Sequence, residues 1–236
     1  MQSEFIKASK IFQQELCSLK SKDGQLQPLP CRIHDVFRQL HAQSHNCIGC
    51  NFAGAVTAVE RVLNRIAASQ DFDVEFDYSD YILSLYLFVE RAHMLFDIIC
   101  LPDGYRQRHF GVFQEIKRWA NFLKHPNYFI LVHHPIFQAG GSVDTWTTWE
   151  QIVDTPFVVE NYGHDAKSKS GKLKAAFVKK TEVLVLFPDV VPFTERFCAA
   201  VKQFVSLIEE NAVFREMLDD IATYENYFER GPESGG

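Results

Sequence analysis

Glu115-Ile116-Lys117-Arg118-Trp119-Ala120-Asn121-Phe122-Leu123-Lys124-His125-Pro126 is the stretch on which the reading of the fold turns. Upstream of it the apolar residues recur with helical spacing, and downstream they come in short β-branched and aromatic runs. At roughly 100° per residue, Val112, Ile116, Trp119, Ala120 and Leu123 gather into one core-directed stripe. Arg118, Asn121 and His125 fall within about 60° of one another on the opposite face. The helix closes at His125-Pro126, because a proline pushes the residue before it out of the α region.

Working back towards the N-terminus, the same logic predicts four more helices. Phe5, Ile6, Phe12, Leu16 and Leu19 mark the first, stopped by Lys22-Asp23-Gly24 and Pro28 and Pro30. The second spans 33–42 and the third 53–68, with Val56, Val59, Val62, Leu63 and Ile66 inward. A polar break over 70–77 precedes the fourth, 78–100, whose apolar character makes it the candidate central helix. Leu101-Pro102-Asp103-Gly104 is a turn signal, and the fifth helix runs 105–124. Working forward, 128–132, 156–159 and 181–187 read as buried strands. Helices follow over 192–210 and 212–221. The predicted fold is mainly α, a helical bundle over 1–126 with a small β-containing extension over 127–230. A disordered tail, 231–236, follows.

Composition supports a folded core: 236 residues, 47% hydrophobic, with 21 Phe. No apolar run is long enough to span a bilayer and no signal-peptide segment opens the chain, so a cytoplasmic protein with no membrane partner is expected. The net charge of −6 argues against gripping duplex nucleic acid with the whole surface. Charge is nonetheless segregated, with six lysines and no acid between Asp165 and Glu182. That loop, including Lys167, Lys169 and Lys172, can guide an RNA backbone or can be a solvated connection.

The polar face of the 105–124 helix suits work on a phosphate. The Arg118 guanidinium offers a planar fork of donors that matches phosphate oxygens. His125 titrates near neutrality and sits where a helix C-terminus favours the imidazolium. Asn121 is placed to orient that imidazole or bind an oxygen, and Lys124 adds charge. These parts suffice for metal-independent RNA cleavage, in which the substrate's 2′-hydroxyl attacks. A solvated face with a dipole-satisfying histidine would use the same residues. Phe122, on the polar side near Arg118 and His125, favours the functional reading, as an exposed aromatic there suits base stacking or a dimer contact. Glu90, Arg91 and His93 interrupt the fourth helix, and pairing with the fifth near Arg118 is expected. His133-His134-Pro135 reads as a strand end.

An arginine four to six residues from a histidine near the end of a helix, within a helical bundle, resembles the HEPN superfamily. The resemblance spans roughly residues 50–126. It implies a bundle of four or five helices that often dimerises, so that two motifs meet in one cleft. It also implies ribonuclease activity of the kind found in toxin–antitoxin and antiviral defence systems, without a catalytic cofactor. Carried onto this chain, it makes Arg118 and His125 catalytic, with Asn121 a weaker assignment. Family members often carry a polar residue directly after the arginine, where this chain has Trp119. Some HEPN-like domains are inactive and bind partner proteins, so a homodimer or a partner protein is expected.

Cys31, His34, Cys47 and Cys50 form C-x2-H…C-x2-C, a spacing that fits a structural zinc. His41 and His45 are alternative ligands, and packing of reduced cysteines in the core is the competing reading. G-x-x-x-x-G-K-[ST], G-x-S-x-G, H-E-x-x-H and G-x-G-x-x-G are all absent, which counts against NTPase, serine-hydrolase, zincin and dinucleotide chemistry.

Overall fold

The computed structural model describes residues 2–20, 26, 29, 48–124, 132–137, 151–162 and 183–230. Among these, the chain is mainly α, with a small parallel sheet. The helices are α1 (Gln2–Leu16), α2 (Ile48–Ala68), α3 (Val74–Ile98), α4 (Asp103–His109), α5 (Gly111–Leu123), α6 (Thr155–Asn161), α7 (Val190–Glu210), α8 (Ala212–Asp219) and α9 (Ile221–Arg230). The strands are β1 (Val132–Phe137), β2 (Gln151–Val153) and β3 (Val183–Phe187).

Five helices close a ring. α1 packs on α2, α2 on α3, α3 on α5, α5 on α7, and α7 returns to α1. Aromatic rings fill its centre. Phe88 of α3 meets Phe52 of α2 at 5.0 Å, Phe113 of α5 at 6.0 Å, and Phe197 and Phe204 of α7 at 5.6 and 6.1 Å. Each of these rings is buried, and edge-to-face pairs of this kind add to the stabilisation from area alone. One continuous core thus takes residues from both sides of position 126.

Several polar groups drawn into the core are matched, although the buried Trp119 indole N–H has no hydrogen-bond partner among the described residues. The Glu115 carboxylate, buried on α5, accepts from both arms of the Arg196 guanidinium on α7, at 2.7 and 3.3 Å. Thr194 gives its hydroxyl proton to the Val190 carbonyl, so the buried Tyr81 hydroxyl donates to Thr194 at 2.7 Å. Tyr78 donates to the Pro188 carbonyl at 2.8 Å, which ties α3 to the segment between β3 and α7.

The sheet order is β1-β3-β2, both pairings parallel. β1 is an edge strand whose register shifts between His133 and Ile136, around Pro135. Proline cannot donate to a ladder and is tolerated at such an edge irregularity. Phe187 of β3 stacks on Tyr78 at 4.1 Å and approaches Trp119 at 5.6 Å, so the sheet docks where α3 and α5 meet.

Several expectations need correction. Residues 156–159 are not a strand but part of α6. Asp154 caps it by accepting from the Phe157 amide at 3.0 Å, and Pro156 lies in its first turn. The helix expected over 105–124 is two helices, α4 and α5, broken at Phe110, whose ring is buried in the core. β1 occupies 132–137, so His133-His134-Pro135 lies within a strand rather than at its end. Ile6 is exposed rather than inward. The polar break over 70–77 already contains the start of α3, where Asp73 accepts from the Phe76 amide and Asp77 accepts from the Asp73 amide. The second helix expected over 33–42, strand residues 128–131, the lysine-rich loop and the tail 231–236 lie outside the described residues.

Candidate functional site

α5 is anchored over a buried arc about 180° wide, from Phe122 and Glu115 through Trp119 and Leu123 to Ala120 and Phe113. Its remaining face carries Lys117, Arg118, Asn121 and Lys124, and this face continues onto α3 through Tyr86, Glu90 and His93. The Lys117 ammonium lies 3.2 Å from the Glu90 carboxylate. Glu90 also accepts a hydrogen bond from the Tyr86 hydroxyl. The Lys124 ammonium stands 3.4 Å from the centroid of the Tyr86 ring, a cation–π contact.

These contacts set the charges. Burial would raise the Glu90 pKa, but the Tyr86 hydroxyl and then Lys117 outweigh it, and the carboxyl is held below the usual range. Tyr86 is pushed up, by burial first and then by Glu90. Burial lowers the Lys124 pKa and Lys117 lowers it further, with Glu90 opposing both. A carboxylate whose pKa is depressed on folding contributes stability that is present above the unfolded value and lost as pH falls through the folded one. Glu90→Gln is therefore expected to cost a few tenths of a kcal/mol near pH 7, the scale of a half-exposed pair. The difference from the parent in urea unfolding should shrink towards zero near pH 3, and a pH-independent difference would rule out the ion pair as its source.

Arg118 and Asn121 are half-buried on this face. Among the described residues Arg118 makes no ion pair or hydrogen bond, whereas Lys117 has Glu90 and Lys124 has the Tyr86 ring. His125, the other half of the expected catalytic pair, lies outside the described residues, as do Lys167, Lys169 and Lys172. The structure thus brings Arg118, Asn121 and Lys124 onto one face.

No protein-family model matches the chain, and no curated protein or solved structure is significantly similar to it.

Phe122 corrects an expectation. It is fully buried, packed edge-on against Trp119 at 5.8 Å and Tyr162 at 5.4 Å, and offers no stacking surface. The residue after α6, Tyr162, covers it. The expected tie between the charged part of α3 and the helix bearing Arg118 is present, as Glu90 to Lys117. Sequence reasoning missed Tyr86 and Lys117. Their signals were Tyr86 one turn before Glu90, and Lys117, Asn121 and Lys124 spaced i, i+4, i+7 on one stripe.

Of the expected zinc ligands, Cys50 is half-buried in the first turn of α2, and Cys31, His34 and Cys47 lie outside the described residues. Among the described residues no three His, Cys, Asp or Glu side chains are grouped to hold a metal. No described helix is long and apolar enough to cross a membrane.

Proposed function

We propose that the chain is a HEPN-like, metal-independent endoribonuclease or toxin-type effector of a prokaryotic defence or toxin–antitoxin system, cytoplasmic and acting as a dimer. The observation that carries this reading is the Arg118 guanidinium, alone among the cations of its face in having no ion-pair or ring partner among the described residues. A guanidinium left available beside two lysines is suited to a phosphodiester. Arg118 binds the scissile phosphate and stabilises the charge that builds on it. His125 moves the proton, Asn121 orients the imidazole or an oxygen, and Lys124 with Lys167, Lys169 and Lys172 holds the RNA backbone. The 2′-oxygen bonds to phosphorus as its proton passes to a base. The bond to the 5′-oxygen breaks, and that oxygen takes up a proton. A 2′,3′-cyclic phosphate and a 5′-hydroxyl result. A structural zinc held by Cys31, His34, Cys47 and Cys50 is part of the proposal, and metal analysis of purified protein tests it.

The experiment is incubation of purified protein with labelled single-stranded RNA in excess EDTA, with the ends of the fragments identified. Cyclic-phosphate ends support the reading, and intact RNA at all protein concentrations rejects the enzyme.

A second reading is a non-catalytic HEPN-like module that binds a partner defence component. It is favoured by Trp119, which is fully buried against Phe187, so the position after the arginine adds no polar group to the face. Retention of a stoichiometric partner by protein that leaves RNA intact would select it.

A further inference from the structure

The outer face of α3 carries an apolar stripe that is symmetric in its own sequence. Phe76, Leu83, Leu87 and Met94 lie within about 40° of one another around the helix. They follow spacings of seven, four and seven residues, a pattern that reads the same in both directions about Leu85. Phe76 is 70% exposed, Leu87 46% and Met94 37%, and Leu83 is half-buried. From Phe76 to Met94 the stripe runs about 27 Å, and its length makes it unlike the single apolar side chains that scatter over any surface.

Charge follows the same symmetry. Taking Phe76 as the origin, Asp80 and Arg91 flank the stripe on one side, at about 40° and 60°, and Glu90 flanks the other at about −40°. Asp80 stands five residues before the centre and Arg91 six after it. A two-fold axis that sets two such helices antiparallel keeps the flanks together and reverses only the direction along the helix. It therefore brings Phe76 opposite Met94 of the second copy, Leu83 opposite its Leu87, and Asp80 beside its Arg91. Glu90 falls opposite Ser79 of the second copy rather than against an acid. Asp80 is bound by Arg65 at 2.7 Å but its side chain stays half-exposed, which leaves it able to accept a second guanidinium.

We propose that this face of α3 is an isologous dimer interface whose occupant is the same face of a second copy of this chain. Self-complementary packing and an oppositely charged pair repeated twice are what a two-fold interface requires. This deepens the dimer reading given above by naming the surface. Glu90 and Tyr86 lie beside the axis, so the α5 faces that bear Arg118 flank the interface.

Sedimentation equilibrium of the full chain tests it. The parent should sediment at twice its 27.2 kDa chain mass. Leu87→Glu should produce a monomer with an unchanged melting profile, because the exposed side chain occurs twice in the interface. Asp80→Arg and Arg91→Asp should each weaken dimerisation by on the order of tenfold, and the double exchange should restore it. A parent that stays monomeric at about 100 μM, where even micromolar dimers form, overturns the proposal. So does a dimer indifferent to Leu87→Glu, and failure of the double exchange to rescue overturns the antiparallel register. RNA cleavage by a monomer would leave the enzyme reading standing and defeat only the interface.

Discussion

Arg118→Ala is expected to lower RNA cleavage at least about a hundredfold while leaving the melting temperature within a degree or two of the parent. The size follows from the role: removing one preorganised donor from a developing anion typically costs on the order of 10²–10³ in rate. The stability follows from the surroundings, since Arg118 is only half-buried and has no intrachain ion pair among the described residues to lose. Arg118→Lys should recover only part of the activity, because an ammonium keeps the charge but not the planar fork. Lys117→Ala makes the useful contrast. It releases Glu90 and lowers local charge, so it should weaken RNA binding more than the rate of the bound substrate. Initial rates over a range of RNA concentrations separate the two, and an Arg118→Ala protein within about threefold of the parent would remove the arginine from the reaction.

How much of this was legible in the sequence differs between the bundle and the site. The stripe of Val112, Ile116, Trp119, Ala120 and Leu123 is buried as its period requires, because a helix facing a core declares itself every three or four residues. Phe122 and Glu115 escaped that logic. They lie on the shoulder of α5, and what buries them is a third layer: Tyr162 over the phenylalanine, and Arg196 over the carboxylate. Periodicity within one helix carries no information about neighbours more than thirty residues away in the chain. α6 was misread for a different reason. Phe157, Val158 and Val159 favour a strand by side chain, yet Asp154-Thr155-Pro156 is a helix start, and the cap prevailed over a weak intrinsic preference. For the site, the sequence placed Arg118 and Asn121 on one face and tied α3 to α5. It could not show that Lys117 and Lys124 are engaged by Glu90 and Tyr86, because those contacts depend on how α3 and α5 cross. That engagement is what singles out the arginine.

The largest expected effect on stability is at Phe88, where Phe88→Ala should cost about 3–5 kcal/mol. The ring is fully buried and is the one that α2, α5 and α7 all approach: Phe52 at 5.0 Å, Phe113 at 6.0 Å, Phe197 at 5.6 Å and Phe204 at 6.1 Å. Truncation removes the transfer free energy of the ring and four aromatic contacts together. The four neighbours sit on three helices, α2, α5 and α7, so the cavity cannot collapse without moving one helix against another. Melting temperature should fall by on the order of 10 °C for a chain of this length. Val213→Ala, at an exposed position on α8, is the matched control and should stay within about 0.5 kcal/mol. Because the lost ring lies between helices rather than beneath the sheet, amide exchange should accelerate in α2, α3, α5 and α7 alike, as expected of one cooperative unit. A loss below about 1 kcal/mol, or acceleration confined to α3, would mean that the ring of helices is not held at this point and that α3 is not its centre.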